Sequence, residues 1–149
     1  MIKHLGIEGV FLFKGQSKKD KRGENRVLLT QDATFVESIV EVAMTKSKAG
    51  VLRGFHTQKW DKFVYPLEGE VDVYLMEDKK LVKLSINDKN RFAIHIPAGV
   101  AHLYIAKTDV TYLYFHNEPY SDKGTKTISY KKAGIKGKYI MSKKDRQCK

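Results

Sequence analysis

Apolar residues fall along this chain in short runs that alternate with polar ones. Val82, Leu84 and Ile86 are interleaved with Lys83 and Ser85, and Phe92, Ile94 and Ile96 with Ala93 and His95. A period of two predicts half-buried strands. The same reading predicts a strand, or a bent strand, over 4–14, a strand over 26–29, and one over 39–44. In the last, Val40, Val42 and Met44 share one face and Glu41 takes the other. Phe63-Val64-Tyr65 and Val71-Asp72-Val73-Tyr74-Leu75 flank a turn at Glu68-Gly69, and the runs 101–106 and 110–116 complete the main set. A further short strand is expected over 128–130. Residues 16–24, polar and highly charged and punctuated by Gly15 and Gly23, read as a loop, and 32–38 as a turn or one helical turn. No segment keeps a long helical period and no internal repeat is present. Turns recur at intervals of roughly ten residues, which argues an all-β sandwich or barrel.

Length and composition narrow this to one domain, residues 1–149, at 17.1 kDa, with 42% hydrophobic and 30% charged residues. No apolar run has the length of a membrane span, and the start Met1-Ile2-Lys3-His4-Leu5-Gly6 lacks a signal-peptide core. Cys148 is the single cysteine, which excludes an intrachain disulfide. These features fit a cytoplasmic protein with no membrane insertion. Net charge is +11, from 28 basic and 17 acidic residues, which favours phosphorylated ligands or polyanions. Residues 131–149 hold eight Lys or Arg against one Asp, with Tyr139 as their only aromatic. Without interleaved aromatics they read as a solvated basic C-terminal extension, and no nucleic-acid partner is expected.

The chemistry concentrates in Gly50-Val51-Leu52-Arg53-Gly54-Phe55-His56-Thr57-Gln58 and the Lys62 that follows. Arg53, His56 and Lys62 offer an anion ligand, a proton-transfer group and a second cation. Alternatively, both cations are solvated and His56 fills a hydrogen-bonded core position. A second constellation, Ile94-His95-Ile96-Pro97-Ala98-Gly99-Val100-Ala101-His102, adds another imidazole after a bend. Two histidines on neighbouring strands raise the question of a metal. A metal-binding cupin wants His-x-His and a nearby Glu. Here Gln58 takes the second place and Lys62 would repel a cation, so no metal is expected. A cofactor-free acid/base site fits better. Histidine changes charge near neutral pH, and a fixed cation best serves where negative charge develops. Tyr114 could deliver a proton from the opposite side, although a lone tyrosine in such a strand is more often a core residue, and Tyr120 after Pro119 is no stronger a signal by itself. Hydride transfer lacks a glycine-rich dinucleotide loop.

Val51-Leu52-Arg53-Gly54-Phe55-His56-x-Gln58 resembles the Val-Leu-Arg-Gly-Leu-His-x-Gln signature of the dTDP-4-dehydrorhamnose 3,5-epimerases, metal-independent members of the cupin superfamily. The likeness continues through Lys62-Phe63-Val64, Gly69-Glu70-Val71-Asp72-Val73, Ile96-Pro97-Ala98-Gly99-Val100-Ala101-His102, and Leu113-Tyr114 to Tyr120, and spans about residues 40–145. It implies a cupin-type double-stranded β-helix, or jelly roll. The activity it implies is inversion at C3, C5 or both of a nucleotide-linked 4-keto-6-deoxy sugar through an enolate, in polysaccharide or glycan biosynthesis. By the same resemblance His56 is the general base, Tyr114 the acid on the other face, and Lys62 the cation that steadies the enolate. Asp145 orients the base, Arg53 grips the diphosphate, His102 lines the sugar pocket, and Gln58 and Tyr120 complete the substrate contacts. Arg22, in an Asp20-Lys21-Arg22-Gly23 similar to the family's early Asp-x-Arg-Gly, belongs to the same set. A homodimer is implied, with an N-terminal segment helping to build the partner's nucleotide site.

The chain departs from that pattern in three places. Residues 39–44 lack the family's Gln-Asp-Asn, the spacing from His56 to Lys62 is shorter, and Glu24-Asn25 stands where aromatics follow the early glycine. Nucleotide-side contacts thus diverge more than the catalytic set, which suits a related epimerase with a different substrate. A ketoisomerase on a similar sugar and a non-catalytic carbohydrate-binding cupin are the alternatives.

Overall fold

A computed structural model describes residues 1–30 and 38–148. Two antiparallel sheets face each other. The first runs in the order β1 (Ile2–His4), β2 (Phe11–Phe13), β10 (Ala93–Ile96), β7 (Lys62–Glu68), β12 (Val110–His116), β5 (Glu41–Ser47). The second runs β13 (Thr125–Thr127), β6 (Leu52–Gln58), β11 (Ala101–Ala106), β8 (Glu70–Glu77), β9 (Lys80–Asn87). Val64, Ile94 and Ile96 from the first sheet meet Val71, Val73, Leu75 and Ile86 from the second, all essentially without solvent contact. This is the jelly roll that the resemblance implies and a form of the sandwich or barrel that the alternation argues, since the strands of the two sheets bury apolar faces against each other. Among the described residues no helix is long and apolar enough to cross a membrane.

Part of each outer face is covered too. Phe13, Phe63, Tyr65 and Ala93 form a second apolar cluster beneath Leu28 and Leu29. Leu52, Phe55, Leu103 and Ile105 form a third beneath Ile128, Tyr130, Ile135, Tyr139 and Met141. The C-terminal segment expected to be solvated is therefore packed along its apolar side. A bridge from Val51 to Ile140 and the short helix α1 (Lys143–Gln147) fasten it, while its lysines among the described residues stay in water.

Other expectations are corrected by what each segment pairs with. The stretch read as a loop is the hairpin β3 (Ser17–Asp20) and β4 (Gly23–Arg26), held by cross-strand polar contacts such as Ser17 to Glu24. Its residues are almost all exposed, so no hydrophobic side marks them as strand. The strand expected over 26–29 ends at Arg26, and Leu28 and Leu29 serve as cover. Residues 4–14 split into β1 and β2 about a turn with Gly6 at φ 82° and Gly9 at φ 74°, left-handed values that favour glycine. The short strand expected over 128–130 sits earlier, as β13. The turn expected over 32–38 lies, apart from Ser38, outside the described residues. In β5 the alternation holds, but Val40, Val42 and Met44 point to solvent while Glu41, Ala43 and Thr45 face inward.

Candidate active site

The interior of the barrel opens at one end into a cavity of about 600 Å³. In a regular strand residues three apart face opposite ways, yet Arg53 and His56 both line it. The register between β6 and β11 explains this: His56 lies opposite His102 but Arg53 opposite Tyr104, so β6 carries one extra residue, a bulge. Gly54 occupies it at φ 120°, and a Cβ there would come within 2.6 Å of the His102 carbonyl oxygen. Glycine at this position lets the strand kink against β11 and turn both side chains into the cavity.

His56 is anchored from behind. Its Nε2 lies 2.7 Å from Asp145 Oδ1, and the Gly54 amide donates to Asp145 Oδ2 at 3.1 Å. Ser142 caps α1 by accepting from the Asp145 amide, which fixes the carboxylate. Burial pushes the Asp145 carboxyl up, but the hydrogen bonds from His56 and Gly54 prevail and hold it below the usual range. An ionised carboxylate only accepts, so Nε2 carries the proton and Nδ1 keeps its lone pair. This arrangement makes His56 a base with a fixed tautomer.

Lys62, on β7 in the facing sheet, is 3% exposed, and burial lowers its ammonium to about 7. Its Nζ donates to His102 Nε2 at 3.2 Å, and His102 Nδ1 donates to the Val100 carbonyl at 3.1 Å. Burial first, and Lys62 second, push His102 well below its ordinary value, so it stays neutral and accepts from the lysine. The Tyr114 ring lies 4.6 Å from Nζ. No carboxylate pairs with Lys62 among the described residues, which leaves a buried cation suited to an incoming anion. Burial raises the Tyr114 phenol well above its usual value, so it holds its proton.

At the mouth, Arg53 is steadied by Ser47 Oγ at 2.9 Å and remains exposed. Tyr120, half exposed, packs edge-on against Trp60 and donates from its hydroxyl to Asp122 at 2.9 Å. Gln58 is buried, and its Oε1 has no partner among the described residues. The structure thus gathers eight of the nine side chains named from sequence into one cavity. Arg22 is the exception: it is not brought to the cavity, but stands on the exposed β3–β4 turn, paired with Asp20. Its hairpin is tied to the barrel at a place away from the cavity, through Glu24 and Arg91 at 2.7 Å. Among the described residues no group of three or more His, Cys, Asp or Glu could hold a metal ion.

Residues 4–149 match the family model described as dTDP-4-dehydrorhamnose 3,5-epimerase. The chain belongs to this family. Among solved structures, the dTDP-4-dehydrorhamnose 3,5-epimerase of Sulfolobus tokodaii is 28% identical, with 99% of this chain and 93% of that one covered at a TM-score of 0.86. The rmlC epimerase of Mycobacterium tuberculosis is 21% identical over 100% and 87% of the two chains, with a TM-score of 0.90. The dTDP-6-deoxy-D-glucose-3,5-epimerase RmlC of Legionella pneumophila, solved with dTDP-4-keto-L-rhamnose, is 21% identical over 99% and 90%, with a TM-score of 0.87. No curated protein sequence matches the chain. Within this epimerase fold the cavity residues that escaped the sequence reading include Glu41, Tyr104 and His116. Alternation carries the signal for two of them, since Tyr104 is two residues from His102 and His116 two from Tyr114.

Proposed function

We propose that the chain inverts C3, C5 or both of a nucleotide-linked 4-keto-6-deoxy sugar through an enolate, using only its own side chains. One observation carries the reading. His56 and Asp145 approach the cavity from the β6 side, Tyr114 and Lys62 from the facing sheet, so base and acid stand on opposite walls. Inversion needs that arrangement, because the proton must leave from one face of the sugar and return to the other.

The keto group acidifies the neighbouring C–H bonds. His56 Nδ1 takes the proton, and Asp145 stabilises the imidazolium that forms. The Lys62 ammonium holds the oxygen on which negative charge develops, where a preorganised cation in a dry site is worth most. Tyr114 then gives its proton to the opposite face. Each positioned acid or base is worth about 10²–10⁴-fold in rate. Arg53 holds the diphosphate at the mouth, His102 orients Lys62, and Gln58 and Tyr120 complete the substrate contacts.

The partners of this reading are a nucleotide-diphosphate sugar and a second copy of the chain. Val40, Val42 and Met44 lie exposed on the outer face of β5, an edge strand, in line with the half-buried Leu113 and Phe115. Such a patch suits a homodimer face. A lone thiol and an activated-sugar substrate fit the cytoplasm. The test is incubation with dTDP- and GDP-linked 4-keto-6-deoxyhexoses in D₂O, followed by proton NMR. Deuterium entering C3 or C5 with inversion is expected. Migration of the carbonyl would instead make the enzyme a ketoisomerase, and binding without deuterium uptake would make the chain a binding protein.

A further inference from the structure

The reaction as derived leaves His116 unused, although it lines the same cavity and is 4% exposed. Neither ring nitrogen has a hydrogen-bond partner among the described residues. Its ring faces are occupied: Tyr114 stacks on it at 5.8 Å and 18°, and Trp60 lies 5.7 Å away. Only its edge, with the two nitrogens, is left to interact. Burial first, then the nearby Lys62, lower the imidazole to about 4. At neutral pH it therefore offers one N–H donor and one nitrogen acceptor. Buried polar groups are nearly always satisfied, so an orphaned pair in a ligand cavity points to the ligand.

Register says which part of the ligand. Lys62, His116 and Glu41 lie directly opposite one another on β7, β12 and β5. Arg53 is anchored by Ser47, which pairs with Val110 at the other end of β12, six residues and roughly 20 Å from His116 at about 3.3 Å per residue. Tyr114 lies between. A sugar whose diphosphate is at Arg53 and whose keto oxygen is at Lys62 turns its far edge toward His116. The carbons beside the keto carbon carry a hydroxyl on one side and a methyl-bearing carbon on the other. The keto oxygen is already held by Lys62, and of the two flanking groups the hydroxyl can meet an imidazole nitrogen where the methyl cannot.

Resting on the epimerase reading above, we propose that His116 is a specificity residue that hydrogen-bonds the C3 hydroxyl of the 4-keto sugar and selects substrates that carry it. A site built to bond a hydroxyl discriminates strongly against the analogue lacking it, because its own polar groups are then left unpaired.

The experiment compares deuterium uptake from a nucleotide-linked 4-keto sugar and its 3-deoxy analogue, by wild type, His116→Phe and His116→Asn. The ratio of kcat/KM between the two sugars is the readout, and comparing it across variants cancels their intrinsic difference in C–H acidity. The ratio is expected to fall about 10–100-fold in His116→Phe, the effect of one buried hydrogen-bonding group left unpaired, mainly through loss on the hydroxylated sugar, with His116→Asn in between. If His116→Phe does not fold, ¹⁵N spectra of the wild-type imidazoles decide. A His116 nitrogen should shift on adding the hydroxylated sugar and stay in place with the 3-deoxy one. An unchanged ratio, or equal shifts with both sugars, overturns the assignment while leaving the epimerase reading intact. Absence of uptake from either sugar by wild type overturns both.

Discussion

Replacing Lys62 with methionine should stabilise the protein while disabling it. Methionine fills the volume of the lysine stem without the charge, and the side chain it replaces is buried with no carboxylate partner among the described residues. A tenfold change in proton affinity is worth about 1.4 kcal/mol, so a fall from 10.5 to about 7 corresponds to about 5 kcal/mol. Burial is the cause, so this is the cost of keeping the ammonium in the native state. The sign follows from the protons bound. Between pH 7 and 10.5 the unfolded lysine is protonated and the native one is not, so wild-type stability rises with pH through that window. The cost is fully present below about pH 7 and gone above 10.5. Methionine removes it but strands His102 Nε2, which costs about 1–3 kcal/mol. The variant should therefore be about 2–4 kcal/mol more stable than wild type at pH 6, and within about 1 kcal/mol of it at pH 9. Urea unfolding of both proteins at the two pH values, at one fixed protomer concentration, measures this. A variant less stable at pH 6, or a difference that does not move with pH, would refute the reasoning.

The same lysine sets an alkaline limb: kcat/KM should decline as pH rises through about 7, where the free enzyme loses the ammonium, and a flat profile to pH 9 would argue that another group holds the oxygen. Asp145→Asn replaces an acceptor by an amide that can donate to His56 and favour the wrong tautomer. It should lower kcat about 10²–10⁴-fold with little change in KM, and near-normal turnover would remove Asp145 from the mechanism. Met44→Asp, on the exposed face of β5, tests the proposed homodimer: light scattering should report a dimer for wild type and a monomer for the variant, with the far-ultraviolet dichroism unchanged. A persisting dimer would place the interface elsewhere.

Much of the barrel was legible because most of its strands bury one face and leave an alternating trace, as Ile94 and Ile96 do against His95. The trace fails where burial does not follow it. In β3 and β4 both faces meet solvent, so a strand looked like a loop. In β5 the face toward the interior is polar because it lines the cavity, and the apolar face is the exposed one. The site was legible mainly through the Arg53 to Gln58 motif. That Arg53 and His56 share a side could not be read from strand period, since it depends on the bulge at Gly54. Asp145 meets His56 across 89 residues of sequence, a pairing that no local pattern encodes and that only the family resemblance suggested. His116 looked like the end of an apolar strand; its two-residue spacing from Tyr114 puts it on the cavity face, and its unpaired nitrogens set it apart there.

The central claim is that proton removal and return occur on opposite faces, from opposite walls of the cavity. Tyr114→Phe tests it most directly, with a 4-keto-6-deoxyhexose nucleotide in D₂O and the configuration of the labelled product read by proton NMR. The account predicts that this variant still takes up deuterium through His56 but returns it to the face it left, giving label with retention, while His56→Ala takes up none. Label with inversion at the wild-type rate in Tyr114→Phe would contradict it.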